Sequence, residues 1–293
     1  MTEHGITRVG VIGAGQMGGG IAQIAATSGF QAILYDEHGG AVDRCKATHD
    51  KLLSRADEKG KISAEDAEAT KARITFAEDL NELGDTQIVI EAVVEDAGVK
   101  CEVFNQLARV TGEGTILASN TSSISITEIG AAADAAHAGA ARRTIGMHFF
   151  YPVPVMQLVE VINGLATAPE VTGRVIELAG SMGKTAVPAN DQAGFVSNRV
   201  LMPMINEAFY AWMAGVAEPE HIDSIMKLGC NFPMGPLRLA DFIGLDTCAH
   251  IMDVLAEGLN SERYRPCPKL RQLVTAGRLG NKTRWGVFDY REG

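Results

Sequence analysis

The chain predicts an α/β fold: a mainly parallel sheet with an inserted helical hairpin, followed by an all-helical domain. Three observations carry this. Short β-branched runs alternate with helically spaced apolar stretches as far as Pro188, a charged helix-forming segment at 41–73 interrupts that alternation, and beyond Pro188 the strand signals stop. A length of 293 residues suits two domains, and the boundary is placed at 188, giving 1–188 and 189–293.

Residues 8–12 (RVGVI) form the first strand, which ends at glycines, and 17–26 follow with helical spacing. QAILY at 31–35 is a second strand closed by Asp36, completing a βαβ unit. Residues 41–73 read as two helices broken at Lys59-Gly60-Lys61, the second opened by Ser63 with Asp66 three residues on, a capping-box variant. Runs at 88–91, 116–119, 144–147, 155–161 and 185–188 extend the sheet. Helices are then expected at 196–214, 219–228, 237–242, 247–259 and 269–276, separated by Gly and Pro clusters. The first of these is apolar nearly all round and contains Pro203, which predicts a kinked helix buried on more than one side, one of them against another subunit.

Twenty-six basic residues against 36 acidic ones, net −10, exclude a general nucleic-acid or anionic-membrane binder. No apolar run reaches the ~18 residues of a membrane span. The start, Met1-Thr2-Glu3-His4, lacks the basic and apolar segments of a signal peptide, which predicts a cytoplasmic protein. Five cysteines (Cys45, Cys101, Cys230, Cys248, Cys267) without a CxxC spacing suit a reducing compartment and read as packing residues. No histidine pair has the spacing of a metal site on one helix, so no metal is expected. The charge is uneven: 44–61 hold six basic and three acidic residues, and 263–284 hold seven basic and none acidic, which predicts local positive potential for anionic ligands.

Gly13-Ala14-Gly15-Gln16-Met17-Gly18 matches GxGxxG, follows a strand, opens a helix, and is answered by Asp36, 23 positions after Gly13. That context marks a Rossmann-type dinucleotide site. Gly13 permits the tight turn, Gly15 lets the backbone approach a pyrophosphate, Gly18 allows close helix packing, and the helix start at Gln16 and Met17 offers unpaired N–H groups. Asp36 suits the free ribose hydroxyls of NAD and would repel the 2′-phosphate of NADP, and 37–40 contain no Arg or Lys. NAD is the expected cofactor.

Four polar positions fall where such a sheet places ligands: Asn120 with Ser122 after ILAS, His148 after TIGM, Glu160 near the end of VMQLVEV, and Asn198 at the start of the second domain. Oxidising an alcohol with NAD needs a base for the hydroxyl proton, and neutral imidazole suits that task, with a carboxylate to orient it. The residue types alone leave open a core histidine satisfied by backbone and a solvated glutamate.

The strings GAGQMGGGIA, ASNTSS, MHFFYPVPVMQLVEV, GFVSNR and MKLGCNFPMGPLRLADFIGLDT, in that order, resemble the short-chain L-3-hydroxyacyl-CoA dehydrogenase family, which includes 3-hydroxybutyryl-CoA dehydrogenases. The resemblance implies NAD-dependent, reversible oxidation of an (S)-3-hydroxyacyl-CoA by a homodimer joined through the helical domain. It implies that His148 is the base and Glu160 its partner, and that Ser122 and Asn198 hold the substrate oxygen. Asn120, Glu95, Lys100 and, in LGNKT, Lys282 fall at cofactor contacts, and Lys59 falls near the CoA moiety. Two departures bear on acyl fit: Tyr151 in HFFYP, where the family usually has Asn, and Gln192-Ala193 before Gly194, where it usually has DTPGF. Rival readings are a dehydrogenase of carrier-protein thioesters and a non-catalytic NAD-binding protein. A two-domain β-hydroxyacid dehydrogenase is disfavoured because 185–226 contain no Lys.

Overall fold

The structure is a computed structural model that describes residues 5–291; the Met1–His4 start read above lies outside the described residues. The described residues form two compact units, divided between Asp191 and Gln192.

The first unit runs β1 (Arg8–Ile12), α1 (Gln16–Thr27), β2 (Gln31–Tyr35), α2 (Gly39–Glu58), α3 (Ala64–Ala72), β3 (Ile74–Ala77), β4 (Ile88–Glu91), α4 (Ala97–Val110), β5 (Ile116–Ser119), α5 (Ile126–Ala136), β6 (Thr144–Phe149), β7 (Leu158–Asn163), α6 (Pro169–Ser181) and β8 (Thr185–Asn190). One sheet holds all eight strands in the order β3-β2-β1-β4-β5-β6-β7-β8. Every neighbouring pair is parallel except β6 and β7. The central strands are buried on both faces, as their unbroken apolar sequences require. Val9, Val11, Ile88, Ile90, Ile116, Ala118, Ile145 and Met147 share one core cluster with Ile21 and Ala25 of α1 and Val175 and Leu178 of α6. Pro188, which cannot donate to a ladder, sits on the edge strand β8.

The hairpin of α2 and α3 turns at Lys59 and Gly60 (φ +63°), and Ser63 Oγ accepts from Asp66 N at 3.0 Å, the expected cap. Two expectations need correction. The strand expected at 155–161 begins only at Leu158, because Val155 N and Met156 N turn back to Pro152 O and both side chains are exposed. A strand also follows the hairpin at β3, where ITFA pairs with β2 and closes the sheet edge.

The second unit contains α7 (Ser197–Met213), α8 (Pro219–Gly229), α9 (Pro236–Ile243), α10 (Leu245–Gly258) and α11 (Pro268–Thr275). Met202, Ile205 and Phe209 of α7 pack with Leu237, Met252, Leu255 and Leu270 in its core; truncating an aromatic such as Phe209 there costs about 3–5 kcal/mol. Asp223 accepts from Leu237 N and Arg238 N at the start of α9, and Asp241 accepts from Val287 N, Phe288 N and the Tyr290 hydroxyl, pinning the last turn of the chain. Burial raises both carboxyl groups above their ordinary range despite these donors. Cys45, Cys248 and Cys267 are buried, but Cys230, expected as a packing residue, is exposed just past the end of α8. No helix among the described residues is long and apolar enough to cross a membrane.

Candidate active site

The glycine loop lies at the carboxyl end of β1. Gly13 adopts φ +98°, and a Cβ there would press on the Ala92 carbonyl; a Cβ at Gly18 would overlap the Gly13 carbonyl. Nothing lies within 4 Å of where a Cβ of Gly15 would project, so the loop backbone is open to a ligand there. Helix α1 starts at Gln16 with Gly15 as an N-cap that supplies no side-chain acceptor, leaving the amides of Gln16 and Met17 for an anion. Asp36, one residue past β2, accepts from Ala14 N at 2.7 Å and His38 N at 2.8 Å, so the predicted ribose ligand also holds the glycine loop. This cradle fits a dinucleotide on close backbone approach, an open helix start and a carboxylate in place.

The carboxyl ends of β4 and β5 carry a buried polar cluster. Glu91 is fully buried and accepts from Val93 N, Lys100 Nζ (2.6 Å) and Ser119 Oγ (2.6 Å). Lys100, expected among the cofactor contacts, is 1% exposed; its ammonium lies between Glu91 and Glu95, the latter at 3.4 Å, and donates to Val93 O. Glu95 accepts from Thr121 Oγ1, Ser122 N, Ser123 N and Ser123 Oγ. Burial alone raises Glu95, but Lys100 and these donors outweigh it and hold the carboxyl below its ordinary value of 4.5. Sequence reasoning missed Glu91 and Ser119. The available signal was a glutamate closing the otherwise apolar run IVIE beside a strand that ends in serine.

His148 lies inside β6 rather than after it, and Glu160 is the third residue of β7 rather than near its end. Because these two strands are antiparallel, the register sets His148 opposite Glu160. Nδ1 of His148 lies 2.8 Å from Glu160 Oε2, with both residues buried. A carboxylate only accepts, so paired this way Nδ1 carries a proton, and the neutral ring has its lone pair on Nε2. The Phe150 ring lies 4.6 Å from the imidazole, and Asn120 Oδ1 accepts from Phe149 N, tying the 120–123 loop to the strand that carries His148. Lys184 Nζ donates to Val153 O and Met156 O, bracing the turn between β6 and β7. Tyr151, the departure beside the histidine, is 52% exposed.

The remaining predicted residues sit elsewhere in their units. Lys59 is exposed at the end of α2. Asn198 is buried in the first turn of α7. Lys282 Nζ donates to both oxygens of Asp246, at 2.6 and 2.8 Å, and to Thr247 Oγ1. The positive charge expected from 263–284 is largely engaged within the helical unit: Arg265 and Arg271 pair with Asp253, and Lys269 and Arg278 lie over the rings of Trp212 and Trp285. Among the described residues no group of three or more His, Cys, Asp or Glu could hold a metal ion.

Comparison with known proteins places this architecture. Residues 8–192 match the model of the 3-hydroxyacyl-CoA dehydrogenase NAD binding domain, and 194–290 match that of the 3-hydroxyacyl-CoA dehydrogenase C-terminal domain. A probable 3-hydroxybutyryl-CoA dehydrogenase of Bacillus subtilis is 53% identical over 98% of this chain and 98% of its own length. One of Deinococcus radiodurans is 52% identical over 97% of this chain and all of its own. The crystal structure of (S)-3-hydroxybutyryl-CoA dehydrogenase from Ralstonia eutropha superposes with a TM-score of 0.93 at 45% identity, covering 97% of this chain and 99% of that one. With both domain models matched in order and full-length relatives at this identity, the chain belongs to the 3-hydroxyacyl-CoA dehydrogenase family of NAD-binding oxidoreductases.

Proposed function

We propose that the chain catalyses the NAD-dependent, reversible oxidation of a short (S)-3-hydroxyacyl-CoA, such as 3-hydroxybutyryl-CoA, to the 3-oxoacyl-CoA, with His148 as the general base. The observation that carries this reading is the buried His148–Glu160 pair at 2.8 Å. Full-length relatives named 3-hydroxybutyryl-CoA dehydrogenase support the short acyl chain.

Bound NAD supplies the acceptor for the hydride that leaves the carbinol carbon. Nε2 of His148 takes the hydroxyl proton as that hydride departs, and Glu160 steadies the resulting imidazolium through Nδ1–H. In the reverse direction the imidazolium returns the proton to the developing alkoxide. Ser122, on the loop held by Glu95, hydrogen-bonds the substrate oxygen, and Asn120 holds that loop to β6. The roles of Asn198 toward substrate, of Lys282 toward cofactor and of Lys59 toward CoA rest on the family resemblance. We further propose that the active species is a homodimer joined through the helical unit, a reading supported by the apolar side chains that α7 leaves exposed.

The test is acetoacetyl-CoA reduction followed by loss of NADH. His148→Gln should lower kcat by at least about 100-fold, because a base acts in the transition state, while the Kd for NADH stays within about twofold. Turnover close to wild type in that variant would remove His148 as the base.

A further inference from the structure

Three loops of the site converge on one buried carboxylate. Glu91, the last residue of β4, pairs in register with Ile12 of β1 on one side and Ser119 of β5 on the other. Its neighbours tie it to the glycine loop: Ala92 N donates to Ile12 O at 2.7 Å, and the Ala92 carbonyl is the atom that any Cβ at Gly13 would strike. Its own carbonyl accepts from Asn120 N at 2.8 Å.

The side chain has three partners, Val93 N, Lys100 Nζ and Ser119 Oγ, and all of them donate. A carboxylate satisfies such a site and an amide does not, since its NH2 would face Lys100 or Ser119. From Glu91 two routes lead to the same loop. Ser119 Oγ accepts from Thr121 N at 3.2 Å, and Lys100 reaches Glu95, which grips Thr121, Ser122 and Ser123. The loop is then joined to the residue after His148 through Asn120. Stability alone does not call for this arrangement, because well-packed apolar residues replace a buried ion pair at little or no cost. What the ions add is a single geometry for the loop.

We propose that Glu91 is a positioning residue for the reaction: acting through Ser119 and Lys100, it fixes the 120–123 loop so that Asn120 and Ser122 hold one arrangement beside His148. The chemistry this serves is that of the proposed function, on which the inference rests.

Two variants test it. Ser119→Ala cuts the link to Thr121 and leaves the Glu91–Lys100 pair intact; Glu91→Gln sets a donor against Lys100 or Ser119. In each, kcat for acetoacetyl-CoA should fall about tenfold or more, since misplacement by a fraction of an ångström is enough, with KM changed much less. Amide exchange at Ser122 and Ser123, measured without substrate, should quicken at least about tenfold while α1 and β1 keep their protection. A purely structural role would lower Tm yet leave turnover per folded molecule and exchange at these two amides at wild-type values, and that result overturns the inference. If Glu91→Gln fails to fold, Ser119→Ala still decides. A wild-type chain that does not reduce acetoacetyl-CoA removes the proposed function, whereas unchanged exchange at Ser122 and Ser123 in Ser119→Ala removes the positioning role.

Discussion

Asp36 serves two ends at once. Its oxygens accept from Ala14 N and His38 N, so the carboxylate shapes the glycine loop before any nucleotide arrives. Truncation to Ala would therefore mix a loss of loop order with a loss of cofactor choice. Asp36→Asn lessens the mixing: it keeps an acceptor oxygen for one of the two amides, turns its NH2 toward the other, and removes the charge that opposes a 2′-phosphate. The expected outcome is a ratio of kcat/KM for NAD over NADP that drops at least about tenfold, since like-charge juxtaposition costs several kcal/mol. Tm should fall less than in Asp36→Ala. Steady-state rates with the two cofactors check this, and an unchanged ratio would assign Asp36 to the loop alone.

At the level of elements, the docking of α2 on α1 rests on a buried histidine. His49 Nε2 lies 2.8 Å from Gly19 O, its Nδ1 is buried with no hydrogen-bond partner among the described residues, and Cys45 occupies the space a Cβ on Gly19 would need. Burial lowers the His49 pKa below its ordinary 6.5, with the Gly19 carbonyl opposing the shift. Above pH 6.5 the ring is neutral in the folded and unfolded chain alike and has no effect on the balance. Below 6.5 the unfolded chain takes up its proton first, so stability is lost progressively as pH falls toward the lower folded value. Tm should thus decline between pH 7 and 5 more steeply in the wild type than in His49→Gln, by about 2–4 °C for each ~1 kcal/mol involved. Parallel thermal melts across that range measure it. The β1-α1-β2 unit was legible in the sequence because its signals are local: a strand, a glycine motif, an acidic stop. β3 was not, because four residues of mixed burial after a charged helix carry no clear period. The start of β7 is misplaced by the sequence because Val155-Met156 reads as strand, although the turn there is held by Lys184 from 28 to 31 residues away. His148 and Glu160 were visible as residue types, but their pairing depends on an antiparallel register that no spacing rule states. Glu91 stays hidden for a related reason: it reads as a solvated charge until the fold buries it together with Lys100.

For the whole molecule, the exposed side of α7 is the outstanding physical fact. Met202, Ile205, Ala208 and Phe209 face the core of the helical unit, while Val196, Val200, Tyr210 and Met213 remain exposed, as do Ile225 and Leu228 on α8. Val196 at the N-cap and Val200 and Tyr210 on α7 leave exposed apolar side chains along one arc of the helix, which also carries the exposed Glu207. A second copy of the same unit would cover it isologously, each α7 meeting its mate. The wild type should then sediment at twice 31.1 kDa at micromolar concentration. Val200→Asp should shift it toward 31.1 kDa, because an unpaired charge buried in an interface costs about 3–5 kcal/mol, roughly a factor of 10² to 10⁴ in dissociation constant. Leu165→Asp is the matched control: Leu165 is 90% exposed on the other unit, carries the same change of charge, and should leave the mass of the assembly unaltered. Sedimentation of the wild type at 31.1 kDa would refute the dimer, and equal dissociation of both variants would mean that net charge, rather than the α7 face, governs association.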